Sequence, residues 1–203
     1  MSQRKDGWPR PAKIAFVGSH GIRKTSALLA FAAVVQRAGR SVELGREVVR
    51  DNPLGINERA TGEAQLWVLV SQIRQELELA RKADILVLDR GVMDNYAYYL
   101  RANGGQDRFA VEPLVARWSE TYDLVVRLLP DIALQADGVR STNDAFRDEV
   151  ETILDEVIPR FVASEKLITL HASEATSRTD WFSVLERLAE GIGARVSAPT
   201  IWT

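Results

Sequence analysis

Residues 18–26, GSHGIRKTS, carry chemistry-bearing types at a spacing that suits one task, the grip of a polyphosphate. The apolar run Ile14, Ala15, Phe16, Val17 leads into Gly18, and Lys24-Thr25 closes the turn as a helical apolar pattern begins. A polyphosphate needs several N–H donors converging on it and a mobile cation. Successive N–H groups of a glycine-bearing turn form an anion-binding nest, and a helix N-terminus adds free donors and a favourable dipole. In the pattern G-x-x-x-x-G-K-[ST] the lysine reaches the β- and γ-phosphates and the hydroxyl takes Mg2+. Lys24 and Thr25 fill those positions, and Gly18, Ser19, His20, Gly21, Ile22, Arg23 and Ser26 complete the candidate nucleotide-binding loop. Arg23 stands where the pattern has its last glycine. A left-handed backbone there costs a non-glycine residue about 1–2 kcal/mol; a helical backbone costs little and adds positive charge beside the anion. The sequence leaves both open.

A loop of this kind must hang between a strand and a helix, and the rest of the chain supplies the frame. Five strand-like runs, 13–17, 42–46, 84–88, 123–128 and 166–170, are short and nearly continuously apolar, as buried parallel strands are. Helical patterns lie between or beyond them. Residues 24–38 put Leu28, Phe31, Ala32 and Val35 on one face, with Gly39 as the stop. Residues 61–82 repeat Leu66, Leu69, Val70, Ile73, Leu77 and Ala80. Residues 144–158 repeat Phe146, Val150, Ile153, Leu154 and Val157, with Ser141 and Asp144 as capping residues and Pro159 expected to end or kink the helix. A last helix is expected over 181–190 behind an Asp180 cap. This alternation predicts a parallel sheet with helices on both faces. The expected organisation is a tail over 1–12, a single domain over 13–193 and a tail over 194–203.

Ligands of such sheets bind beyond the C-terminal strand ends, and four of the five ends carry charge. Asp89, closing the run ILVLD, presents a carboxylate that can hold Mg2+ or cap a turn beside Arg90. Arg90 could clamp an acceptor or a phosphate with its planar fork. Glu47 could take a proton from an acceptor hydroxyl or simply pair with Arg46 or Arg50. Gln65 could hydrogen-bond an acceptor. The segment 137–147, DGVRSTNDAFR, reads as a lid whose Arg140 and Arg147 would meet the charge spread over a transferring phosphoryl group. His20 could touch phosphate; Tyr96, Tyr98 and Tyr99 read mainly as packing, with Tyr96 or Tyr99 as candidates for an acceptor pocket.

The 203 residues suit one α/β domain, and 46% hydrophobic with 27% charged is ordinary for a globular chain. A net charge of −2 gives no general attraction to nucleic acid or anionic membrane. Arg4, Lys5, Arg10 and Lys13 read as a solvated basic cluster. Without cysteine the chain has no disulfide or thiolate metal site. No apolar run reaches the ~18–20 residues of a membrane span, and a cytoplasmic location is expected.

GSHGIRKT, the acidic strand end at Glu47, Glu-Ala-Gln at 63–65, LVLDR followed by Asp94 and Tyr98, and DGVRS together resemble the P-loop nucleoside and nucleotide kinase superfamily. The likeness is closest to its small AAA-type ATP-binding and nicotinamide-riboside-kinase-like branch, and covers roughly 13–190. It implies a three-layer P-loop NTPase fold with a five-stranded parallel sheet of order 2-3-1-4-5. It also implies Mg-ATP as phosphoryl donor and a small hydroxyl or phosphate acceptor, first of all a nucleoside or nucleotide. By the resemblance, Lys24, Asp89 and Arg140 are catalytic, Thr25 and Asp89 hold Mg2+, and Arg90 serves the acceptor; Glu47, Gln65 and Arg147 join the acceptor side from their own positions in the sequence. Asp89 shares with Glu47 the claim to the general base. Two departures stand out: Arg23 in place of glycine, and Gly91 where many kinases carry Ser. Two other classes stay open: a nucleotide-binding switch or slow ATPase, and a degenerate scaffold whose Arg23 fills the phosphate site. The lack of N-K-x-D counts against a GTPase of the Ras type. A homodimer is left open.

Overall fold

The run AKIAFV becomes β1 (Ala12–Val17), and every residue of it is buried. Its faces alternate: Ile14 and Phe16 enter one core, Ala15 and Val17 the other. A strand apolar on both faces has to lie inside a sheet. β1 is flanked by parallel β3 (Ile85–Asp89) and β4 (Leu124–Leu129), with β2 (Val42–Gly45) beyond β3 and β5 (Leu167–His171) beyond β4. The order is β2-β3-β1-β4-β5, as the resemblance implied. The computed structural model describes residues 11–134 and 142–177.

Helices cover both faces. On one, α1 (Lys24–Arg37) lays Phe31 and Val35 against Ile14, Phe16, Val87 and Val126, and the short α6 (Ala172–Ser177) joins it through Ala172 and Ala175. On the other lie α2 (Gly62–Leu79), α3 (Val92–Ala102), α4 (Glu112–Ser119) and α5 (Asp144–Phe161). Burying a side chain the size of Phe31 contributes roughly 1.5–3 kcal/mol, so these two apolar layers hold the strand ends in place. No helix among the described residues is long and apolar enough to cross a membrane.

Several details depart from the sequence reading. α2 buries a partly polar stripe, Gln65, Gln72 and Glu76, while Val70 and Leu77 of the expected apolar face stay exposed. Lys13 is no part of a solvated cluster: it is buried in β1 with Nζ 2.9 Å from Glu76 Oε2. α3 and α4 fill a stretch in which no helix was expected. Pro159 neither ends α5 nor stops it short of Phe161. It lies in the last turn, where little of the helical ladder remains to lose, and Ile158 and Phe161 pack on the core beside it. The α5 cap is Asn143, whose Oδ1 accepts from Phe146 N–H at 3.3 Å; Asp144 is the first helical residue. The expected helix 181–190 with its Asp180 cap, both tails through 1–10 and 194–203, and Ser141 lie outside the described residues.

Candidate active site

Gly18 leaves β1 at φ 144° and Gly21 turns the chain again at φ 76°. A Cβ on Gly18 would meet Ile22 Cδ1 at 2.5 Å and the Leu128 carbonyl at 2.7 Å, so only glycine fits. Ile22 is fully buried and pins the loop to the core. The loop's first N–H groups are fixed by carboxylates: Gly18 N–H donates to Asp94 Oδ2 at 3.1 Å and Ser19 N–H to Glu151 Oε1 at 3.0 Å. Glu151 is itself held by Arg127 of β4 at 2.5 Å. α1 then starts at Lys24 with no acidic residue in its first turn, and its leading N–H groups have no intrahelical acceptor. An anion at this point meets free donors and the positive end of the helix dipole.

Arg23 takes the left-handed option, φ 56° and ψ 33°. Its side chain is exposed, and the buried cation of the loop is Lys24, whose Nζ donates to the Ser19 carbonyl. Relief of about 1–2 kcal/mol of left-handed strain outweighs the roughly 0.4–1 kcal/mol that glycine's looser unfolded chain costs. Arg23→Gly is therefore expected to raise the thermal midpoint by a degree or more, on the order of a few degrees per kcal/mol, and to keep or raise ATP affinity. A tenfold loss of affinity by calorimetry would instead place the guanidinium on the ligand.

Thr25 and Asp89 meet across the loop, Oγ1 donating to Oδ2 at 2.5 Å. Asp89 Oδ1 is buried and has no hydrogen-bond partner among the described residues. A hydroxyl touching a carboxylate with one oxygen unspent suits a hard, oxygen-seeking cation. No group of three His, Cys, Asp or Glu that could hold a metal occurs among the described residues, so a cation held here would need further ligands from outside the chain's carboxylates and imidazoles. Burial, with Arg90 next in weight, holds the Lys24 ammonium well below the usual lysine range. An arriving anion would offset both by favouring the charged form.

Beside the loop opens a cavity contiguous with solvent. Glu47, Gln65 and Arg90 line it, and so do His20, Tyr98 and Phe146. Arg90 Nε donates to Glu47 Oε1 at 2.8 Å, its NH1 lies 3.5 Å from Asp94 Oδ2, and its guanidinium sits 4.8 Å over the Tyr98 ring. Arg50 Nε stands 3.4 Å from Glu47 Oε2. Burial holds the Asp94 carboxyl above the usual range against the pull of Arg90 and Lys24.

His20 belongs to the loop by its backbone and to the cavity by its ring, which stacks on Phe146 at 4.9 Å and meets the Tyr98 hydroxyl at 3.3 Å. Its Nε2 and Asn95 Nδ2 are buried without partners among the described residues. Burial first, then Arg90, Lys24 and Arg147, lower the His20 pKa to about 4. An unfolded histidine titrates near 6.5, so below that pH the unfolded chain binds a proton that the folded chain refuses. The stabilisation is complete above about pH 6.5 and is lost as pH falls towards 4. Between pH 7 and 5 the melting midpoint of the wild type is expected to fall further than that of His20→Gln. Parallel slopes would mean the folded state accepts the proton.

Of the expected site residues, then, the structure gathers Lys24, Thr25 and Asp89 at the loop and Glu47, Gln65 and Arg90 at the cavity. Ser26 is exposed on the first turn of α1. Arg147 is not among the residues lining the cavity; its NH1 donates to the Ile132 carbonyl at 3.2 Å and its NH2 pairs with Asp144 at 2.9 Å. Arg140, with residues 137–141 of the expected lid, lies outside the described residues, and 144–147 form the first turn of α5. Of the tyrosines, Tyr98 lines the cavity, whereas Tyr96 and Tyr99 are core. The sequence reading assigned no role to Asp94 or Glu151. For Asp94 a signal was present, an acid one helical turn beyond Arg90; Glu151 offered none.

Among solved structures, a NadR protein in complex with NAD and AMP-PNP matches with TM-score 0.62 at 17% identity, over 94% of this chain and 52% of that one. A deoxyadenosine kinase from M. mycoides matches with TM-score 0.57 at 14% identity, over 88% and 99%. A thymidylate kinase from Candida albicans matches with TM-score 0.59 at 13%, over 91% and 95%. The chain spans about half the length of the NadR proteins it matches. No curated protein matches by sequence. The fold is that of P-loop nucleoside and nucleotide kinases, and with residues 13–171 matching the family described as AAA domain, the chain belongs to that family.

Proposed function

We propose that this chain transfers the terminal phosphoryl group of ATP to a small acceptor, a nucleoside or nucleotide. One observation carries the reading: the Lys24–Thr25–Asp89 cluster and the Glu47–Arg90 pair are joined through His20, which is part of the loop and part of the cavity wall. A donor phosphate on the loop and an acceptor in the cavity would meet there.

The roles follow from the contacts. Lys24 would leave the Ser19 carbonyl for the β- and γ-oxygens. Thr25 and Asp89 would hold Mg2+, which when bound neutralises phosphate charge. With Asp89 engaged by Thr25, Glu47 is the better placed general base, since its carboxylate faces the cavity with Arg90 holding its orientation. Gln65, Asn95 and His20 would orient the acceptor. Arg140, within the proposed lid, would meet charge on the moving group. Both arginines of the cavity already lie against Glu47, which supports an uncharged hydroxyl acceptor ahead of a phosphorylated one. The NadR protein above is in complex with NAD and AMP-PNP and the deoxyadenosine kinase with dCMP and dCDP, and this too supports the class.

Labelled Mg-ATP incubated with a panel of nucleosides, nucleotides and small sugars, read by mass shift, tests the proposal. Transfer to a nucleoside hydroxyl is expected. Hydrolysis that no acceptor alters would make the chain an ATPase or switch, and no heat of ATP binding would make it a non-catalytic scaffold.

A further inference from the structure

Glu76 is a fully buried carboxylate outside both the loop and the cavity. Its Oε1 accepts from Gln72 Nε2 at 3.1 Å and from the Tyr122 hydroxyl at 2.7 Å; its Oε2 accepts from Lys13 Nζ at 2.9 Å and Trp118 Nε1 at 2.7 Å. The four donors come from four places in the fold: α2, the approach to β4, β1 and α4.

Both partners of Oε1 run on to one short segment. Gln72 Nε2 also donates to the Arg90 carbonyl at 3.2 Å, and the Tyr122 hydroxyl accepts from Val92 N–H at 3.0 Å. Between these anchors the chain leaves β3 with Arg90 at φ 89°. Such a backbone persists in a non-glycine residue only where its surroundings over-determine it. The departure at Gly91 belongs to the same device. A Cβ there would clash with Met93 Sδ at 2.6 Å and come into contact with the Tyr122 hydroxyl at 3.4 Å, so a side chain at 91 would have to displace Met93 beside the hydroxyl that holds Val92.

We infer that Glu76 is a positioning residue for Arg90: through Gln72 and Tyr122 it clamps both sides of the strained turn and so sets the guanidinium between Glu47 and the Gly18 carbonyl. NH1 of Arg90 reaches that carbonyl at 3.4 Å, which ties the clamp to the loop as well as to the cavity. The functional part of this inference rests on the kinase reading. Burial and the neighbouring Glu76 carboxylate raise the Tyr122 pKa well above its ordinary value, so the hydroxyl stays a donor to Glu76 through the working pH range.

The test uses Glu76→Gln, Tyr122→Phe and Gln72→Ala in the full chain, with two readouts. Acceptor kcat/KM per folded molecule is expected to fall about 10–100-fold, the scale of a small misplacement of a reacting group, while the Kd for Mg-ATP stays within about twofold of the wild type. In the resting protein, the Arg90 Nε–H signal by nitrogen-15 NMR, assigned by its loss in Arg90→Lys, is expected to shift and exchange with water roughly fivefold faster. Lower melting midpoints with acceptor kcat/KM and the Arg90 signal unchanged would make the network a fold anchor only and overturn the inference. If Glu76→Gln does not fold, the other two variants decide. If the wild type phosphorylates nothing, the kinase reading fails while the NMR signal still decides the positioning.

Discussion

Lys24→Ala is expected to bring phosphoryl transfer to background, a loss of at least about 10²–10³ in kcat, the scale of removing one pre-set electrostatic contact. The side chain is buried, opens α1 and rests its Nζ on the Ser19 carbonyl. Nothing else among the described residues offers a buried cation on the loop itself. Arg23 is exposed, and Arg90 is committed to Glu47 and Asp94. Folding should survive, because the variant removes a desolvated charge together with its hydrogen bond to the Ser19 carbonyl. Single-turnover transfer from labelled ATP, with circular dichroism melting as the fold control, checks it. Turnover within twofold of the wild type would remove the loop from the mechanism.

Glu47→Gln is expected to lower transfer about 10²–10⁴-fold, the range for loss of a general base, while ATP binds as before. The amide keeps the shape and can still accept from Arg90, but it cannot take a proton from an acceptor hydroxyl. Stability should fall by less than the about 3–5 kcal/mol typical when a buried charge loses its partner, because Asp94 Oδ2 remains 3.5 Å from Arg90. The comparison with Asp89→Asn separates the two carboxylates. Asp89→Asn should raise the Mg2+ concentration needed for activity, since Asp89 meets Thr25; Glu47→Gln should leave that requirement alone. A Glu47→Gln enzyme with full kcat, or one whose defect is cured by excess Mg2+, would reassign the base.

What the sequence disclosed follows from which residues carry contrast. The five strands were legible because runs such as ILVLD and LVVRLL are short and apolar, and a buried parallel strand needs little else. The rim residues Asp89, Arg90 and Glu47 were legible because the sheet's geometry says where to look. α3 was not. From Val92 to Tyr99 every residue is buried, Asp94 and Asn95 included, so a helix wrapped on all sides shows no periodicity. α2 misled for the opposite reason: its inner face holds Gln65, Gln72 and Glu76, and the partners that make burial tolerable come from β1, α4 and the approach to β4, remote in sequence. Lys13 is the other half of the same error, since only the fold brings its ammonium to Glu76. Arg127 was swept into a strand by its neighbours; its ion pairs with the part-buried Glu151 and the exposed Asp155 could not be read from one strand alone.

Of the described strands β1 emerges first and waits longest for its neighbours. Its two neighbours are β3 and β4, so as the chain emerges from the ribosome Ile14, Phe16 and Val17 wait for residues 85–89 on one edge and 124–129 on the other. Pairing of such sequence-distant strands is slow, and an unpaired apolar strand invites sticking to other chains. Nascent chains released before β4 should therefore be holdase clients, bound through this opening segment.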